Sequence, residues 1–137
     1  MSFGGTAIKT ANFPKLTSIG QYAFQLCKSL TEVKIPLATR IESYAFDRCT
    51  VLTKMDLGMA NTLVEGSLNG CSSLTTLILR NPQTVCGPSF YTIDETPIAS
   101  GTGYVYVPRA MVDKYKCSWK NYANQIRAIE DYPEICG

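Results

Sequence analysis

Six cysteines and the complete absence of histidine bound the chemistry open to this chain of 137 residues. Without histidine there is no imidazole general base, no imidazole metal ligand and no Ser-His or Cys-His dyad. Structural zinc sites draw on cysteine pairs about two to four residues apart, and no two cysteines here lie that close. The adjacent carboxylates Asp94-Glu95 and Glu130-Asp131 are sequence neighbours that point to different sides, as at solvated loops and helix ends. Neither a Gly-x4-Gly-Lys-Ser/Thr nor a Gly-x-Gly-x-x-Gly run offers a phosphate cradle. The residues therefore predict no catalytic, cofactor or metal site and no enzyme.

Cys27, Cys49 and Cys71 do share a regularity, and it belongs to the whole chain around them. Three segments align without gaps at a period of 22, beginning at Ile19, Ile41 and Leu63. Each carries a Leu-x-x-Φ-x-Φ run (Φ apolar), ending in Leu30–Ile35, Leu52–Leu57 and Leu74–Leu79. The alternating apolar residues predict short strands over 31–35, 53–57 and 75–79, each with one buried face. Ahead of them, the spacing of Ala23, Phe24 and Cys27 predicts a single helical or 3-10 turn. A unit this short cannot bury its own apolar side, so the units must stack with their strands in parallel.

That organisation gives one domain, 1–137: a partial repeat over 6–18, full repeats over 19–40, 41–62 and 63–84, a degenerate repeat over 85–107 and a cap over 108–137. Val85 and Phe90 match Ile19 and Phe24, and Val105, Val107 and Pro108 match Val33, Ile35 and Pro36. The extra residues of the degenerate repeat fall in the Thr92–Gly103 loop. In the cap, Tyr115, Trp119, Tyr122, Ile126 and Ile129 follow at helical spacing. This predicts an amphipathic helix, broken near Cys117-Ser118 with Ser118 as an N-cap, that covers the last repeat.

Stacking makes a ladder of the cysteines at 27, 49 and 71, where small buried side chains fill a turn. Their Cβ atoms would stand about 4.8 Å apart, wider than the ~3.5–4.5 Å of a disulfide, which predicts reduced thiols. A Cys117–Cys136 bridge stays open. Stacking also aligns Glu32, Lys54, Thr76 and Tyr104 in one outward row, and Lys34, Asp56, Ile78 and Tyr106 in the next. Glu32 with Lys54, and Lys34 with Asp56, read as complementary surface pairs. Ile78, Tyr104 and Tyr106 read as an exposed apolar-aromatic patch, which either contacts a ligand or lies under the Thr92–Gly103 insertion. The candidate binding residues are thus Ile78, Tyr104, Tyr106, Lys34, Asp56, Lys54 and Glu32.

The stretch Leu16-Thr17-x-Ile19-Gly20-x-x-Ala23-Phe24-x-x-Cys27-x-x-Leu30-x-x-Val33-x-Ile35-Pro36 resembles the leucine-rich repeats of BspA-type bacterial surface antigens. Residues 41–58 follow the same motif well, 63–79 more loosely, and the resemblance spans about 11–107. The ending, from Tyr104-Val105-Tyr106-Val107-Pro108 through Tyr115, Trp119 and Tyr122 to Ile129, resembles that of many such proteins in gut bacteria and their phages. The resemblance implies an α+β repeat solenoid with parallel strands on one side, helical or 3-10 turns on the other and a helical cap. It also implies a secreted or cell-surface protein that binds a protein or glycan ligand, adhesion included. The alternative is a purely structural stalk.

Composition agrees. A hydrophobic content of 45% with 18% charged residues supports a packed core. A net charge of +2, from 13 basic and 11 acidic residues without a basic run, predicts no nucleic-acid partner. No apolar run reaches the ~18 residues of a membrane span, and Met1–Gly5 lack the pattern of a signal peptide. The partial repeat over 6–18 has no cap, which predicts either truncation from a longer protein or end-to-end association through its open strand edge.

Overall fold

The computed structural model describes residues 3–88 and 92–137. Six strands form the broad sheet of the solenoid: β1 (Thr10–Asn12), β3 (Glu32–Lys34), β5 (Lys54–Asp56), β7 (Thr76–Ile78), β9 (Tyr104–Val107) and β10 (Ile126–Ala128). They lie in that order and every pairing is parallel. A second, narrow parallel sheet runs alongside, built from β2 (Ser18–Ile19), β4 (Arg40–Ile41), β6 (Thr62–Leu63) and β8 (Gly87–Pro88). Pairing Val33 with Met55 and Met55 with Leu77 sets the 22-residue register and turns the strand centres into the core.

Side chains extend the backbone ladder. The hydroxyls of Thr31, Thr53 and Thr75 donate to the carbonyls of Lys9, Thr31 and Thr53 at 3.1, 3.2 and 3.3 Å. Inside, columns of like residues stack: Leu30, Leu52 and Leu74; Ile35, Leu57 and Leu79; Ile19, Ile41 and Leu63, all buried. The Phe24 and Phe46 rings lie parallel at 5.0 Å, continued by Phe3 on Phe24 at 5.0 Å.

The turn side differs from the helical or 3-10 turns expected of Tyr-Ala-Phe-x-x-Cys. In these segments alternate N–H groups close i→i−3 turns, as Gln25 does to Tyr22 and Cys27 to Phe24, while those between cross to the next repeat. Phe24 thus donates to Ala45 and Leu26 to Asp47, at 2.7 and 2.8 Å. A helix would keep those donors to itself; here they tie repeat to repeat. The alternation needs left-handed backbone at two columns, occupied by Tyr22, Tyr44 and Gly66, and by Leu26, Arg48 and Gly70.

The cap is also built otherwise than one amphipathic helix. Helix α1 covers only Val112–Ser118, and the chain leaves it at Trp119 (φ −104, ψ 54), so Ser118 ends a helix rather than capping one. Ile126 lies in β10, which adds a parallel strand to β9 and satisfies the edge that a helix would have left open. The anchoring aromatics behave as expected: Tyr115 and Trp119 are buried, and both hold the Cys86 backbone. The Tyr115 hydroxyl accepts from Cys86 N–H at 2.8 Å, and Trp119 Nε1 donates to Cys86 O at 2.9 Å. A short helix α2 (Pro133–Cys136) follows β10. The insertion is a chain of turns pinned by buried Ile93 and Ile98; the expected match of Phe90 to Phe24 lies outside the described residues.

Candidate interaction face

The strands place the outward rows as their spacing required. Glu32 stands opposite Lys54, Lys54 opposite Thr76 and Thr76 opposite Tyr104; Lys34, Asp56, Ile78 and Tyr106 form the neighbouring row. Glu32 and Lys34 are exposed and Lys54 is half-buried. Lys54 Nζ lies 4.0 Å from Glu32, a pair open to solvent and worth about 0–1 kcal/mol.

The other expected pair is not made. Asp56 is 5% exposed, and its carboxylate accepts from Arg80 rather than Lys34. Arg80 Nε donates to both carboxylate oxygens at 3.1 Å and an Nη donates at 2.8 Å, a fork geometry that a lysine cannot offer. Asp56 also accepts the N–H of Gly58, at 3.1 Å.

The Ile78–Tyr106 part of the patch is covered, contrary to the expectation of an exposed surface. Ile78 and Tyr106 are 0% and 2% exposed. The cover is not the Thr92–Gly103 insertion but the segment around α2, whose Tyr132, Ile135 and Cys136 pack on Ile78 and Tyr106. Tyr132 meets Tyr106 edge to face at 5.3 Å. Arg127 of β10 lies between Tyr104 and Tyr132, its guanidinium carbon 3.3 and 4.7 Å from the two ring centroids. Lys54 Nζ donates to Ile135 O at 2.7 Å, and the Arg80 guanidinium donates to Cys136 O. Between this segment and the charged rows remains a cleft of about 180 Å³, lined by Glu32, Lys34, Lys54, Asp56, Glu134 and Ile135.

Arg80, Arg127 and residues 132–136 are the members of this face that sequence reasoning missed. Arg80 shares its column with Pro36 and Gly58, and the segment after β10 lies outside the repeat, so periodicity carried no signal for either. It also missed a half-buried polar ladder on the turn side, centred on the buried Asp47. There Gln25 and Asn69 donate their amides to opposite oxygens of Asp47, at 3.1 and 2.9 Å.

All six cysteines are free, Cys117 and Cys136 included. The ladder thiols each donate to a backbone carbonyl of the preceding coil: Cys27 to Phe3, Cys49 to Phe24 and Cys71 to Phe46, at 3.1, 3.1 and 3.2 Å. Burial pushes Cys49 and Cys86 up to about 12, and Cys71 is raised by the same cause. Only Cys117 is exposed, so one thiol should react rapidly with an aromatic disulfide in the folded protein and six after denaturation. The raised groups hold protons that the unfolded chain releases near 9, so their stabilisation is intact below that pH and is lost as pH rises toward 12. Denaturation midpoints followed by Trp119 fluorescence should fall across that window; a flat midpoint would contradict the burial of the thiols.

Parallel strands stacked at a 22-residue register from β1 to β7, with apolar columns inside and an outward strand face, define a leucine-rich repeat solenoid. The chain belongs to the BspA-type leucine-rich repeat family, whose model matches residues 1–98 in six copies. No curated protein matches it. Repeats of this family form modules that are generally non-catalytic, and its members are typically surface proteins. Among the described residues no helix is long and apolar enough to cross a membrane.

Proposed function

We propose that the chain is a non-catalytic interaction module of a secreted or surface protein, and that its broad strand face binds a protein or glycan ligand. The observation that carries this reading is the open end of that face. Over β1 and β3 it presents Thr10, Asn12, Glu32 and Lys34 in register to solvent, beside the cleft under α2. A rigid ladder of outward side chains holds recognition groups in place at little entropic cost. End-to-end association belongs to the same proposal: among the described residues β1 pairs with β3 alone, and an apolar hollow of about 300 Å³ lies beside it, between Phe3, Leu16, Ile19 and Phe24.

A panel of host extracellular proteins and glycans tests it. The expected result is saturable binding to at least one member, weakened about tenfold or more by the charge reversals Glu32→Lys and Lys34→Glu together. Absence of binding across the panel would leave the structural stalk as the better reading.

A further inference from the structure

Among the described residues the broad sheet carries two separate apolar clusters. The main core lies on its inner side and runs through every repeat. The other lies on the strand face and consists of Ile78, Tyr106 and Cys136, with Tyr104, Ile129, Tyr132 and Ile135 packed around them. The two share no residue.

What the face offers to residues 132–137 is what a peptide site offers. Ile78 and Tyr106 make an apolar floor, and Tyr106 meets the incoming Tyr132 edge to face. Arg127 lies over the Tyr132 ring. Two cations address backbone rather than side chains: Lys54 takes the Ile135 carbonyl and Arg80 the Cys136 carbonyl. Arg80 is held in position for this by the buried carboxylate of Asp56. Only Tyr132, Ile135 and Cys136 are read through their side chains, and they come from a single turn.

We propose that the strand face over β5, β7 and β9 is a peptide-binding site occupied in this structure by the chain's own segment Tyr132–Gly137. The partner it fits is a polypeptide segment of another protein, one that carries an aromatic residue and, three positions later, an apolar residue on one helical turn with its last carbonyls exposed. This rests on the reading of the strand face as the interaction surface, and it specifies the ligand class. A tethered occupant competes at an effective concentration on the order of millimolar. The partner therefore binds weakly until the segment leaves, and the apparent affinity falls with the fraction of open sites.

The test releases the segment after folding. A protease recognition sequence is placed between Asp131 and Tyr132 in the full chain, the protein is folded, and the site is then cut. The probe is a fluorescein-labelled synthetic peptide of residues 131–137, kept reduced and followed by anisotropy. The cut protein should take up the probe saturably, and the uncut protein should bind it at least about tenfold more weakly. Lys54→Met should weaken uptake by the cut protein about tenfold, and a probe carrying Tyr132→Ala with Ile135→Asp should not bind.

Equal binding to cut and uncut protein would overturn the proposal, as would release of the segment without uptake of the probe. Loss of the buried Trp119 signal on cutting would do the same, because the segment would then be part of the fold. A dimer seen by light scattering whose faces exclude the probe would identify a second copy as the occupant and overturn the reading of a foreign partner. Failed exchange alongside a positive ligand panel removes this inference alone; a negative panel removes the wider reading.

Discussion

Replacing Phe46 with alanine is expected to lower stability by about 3–5 kcal/mol, the cost of deleting a fully buried aromatic ring and leaving its cavity. Phe46 is 0% exposed and ends the described ring stack, lying at 5.0 Å on Phe24, with Leu68 occupying its column in the next repeat. Its carbonyl also accepts the Cys71 thiol, so a shift of the backbone there disturbs the cysteine ladder as well. In a stack whose units hold only their neighbours, a weak central unit loosens the interfaces on both sides. Urea denaturation read through Trp119 would measure the loss. Tyr22→Ala supplies the contrast. That ring is stacked on Tyr44 but 42% exposed, and its loss should cost about 1 kcal/mol or less. Equal effects of the two changes would contradict the core assigned to the phenylalanine column.

Gly58→Ala is expected to be of similar size although it adds only one methyl group. Gly58 has φ +53, and a Cβ at that position would fall onto the Pro36 backbone of the preceding repeat. The neighbouring coil cannot yield cheaply, because Met59 N–H donates to Pro36 O at 3.1 Å and Arg80 N–H to Gly58 O at 2.7 Å. Left-handed backbone costs a non-glycine residue about 1–2 kcal/mol, and forced overpacking about 1–3 kcal/mol more. Gly5→Ala separates the two causes: its φ is +71 but nothing lies within 4 Å of the added Cβ, so it should lose only the conformational part. If both alanines cost the same, overlap between repeats is not what requires glycine at 58.

The stacked architecture was legible because a 22-residue coil repeats the same local problem. Leu30, Leu52 and Leu74 recur where each coil needs an apolar side chain, and pairing their strands follows from that recurrence. The register of Glu32, Lys54 and Thr76 came with it, since parallel strands of equal period leave no other alignment with the apolar set inside. Tyr104 joined the row through the match of Val105, Val107 and Pro108 across the insertion. The cysteine ladder followed for the same reason.

What periodicity left open lies where the period ends or where several geometries satisfy one pattern. Ala23, Phe24 and Cys27 suit a helical turn and a pair of tight turns equally. Inter-repeat hydrogen bonds decided for the turns, and a single coil gives no hint of them. The same limit applied to Ile126, whose helical spacing from Trp119 was overridden by the open edge of β9. On the strand face, the sequence determined which residues point outward; the tertiary structure decided which of them meet solvent. Ile78 and Tyr106 are buried there because a segment from outside the repeat, 132–136, folds back across them, and Asp56 is taken by Arg80 rather than by Lys34. The cover depends on the path of the chain after β10 through space, and the Arg80 pair on a residue that breaks the repeat's column, neither of which the spacing within the repeats encodes.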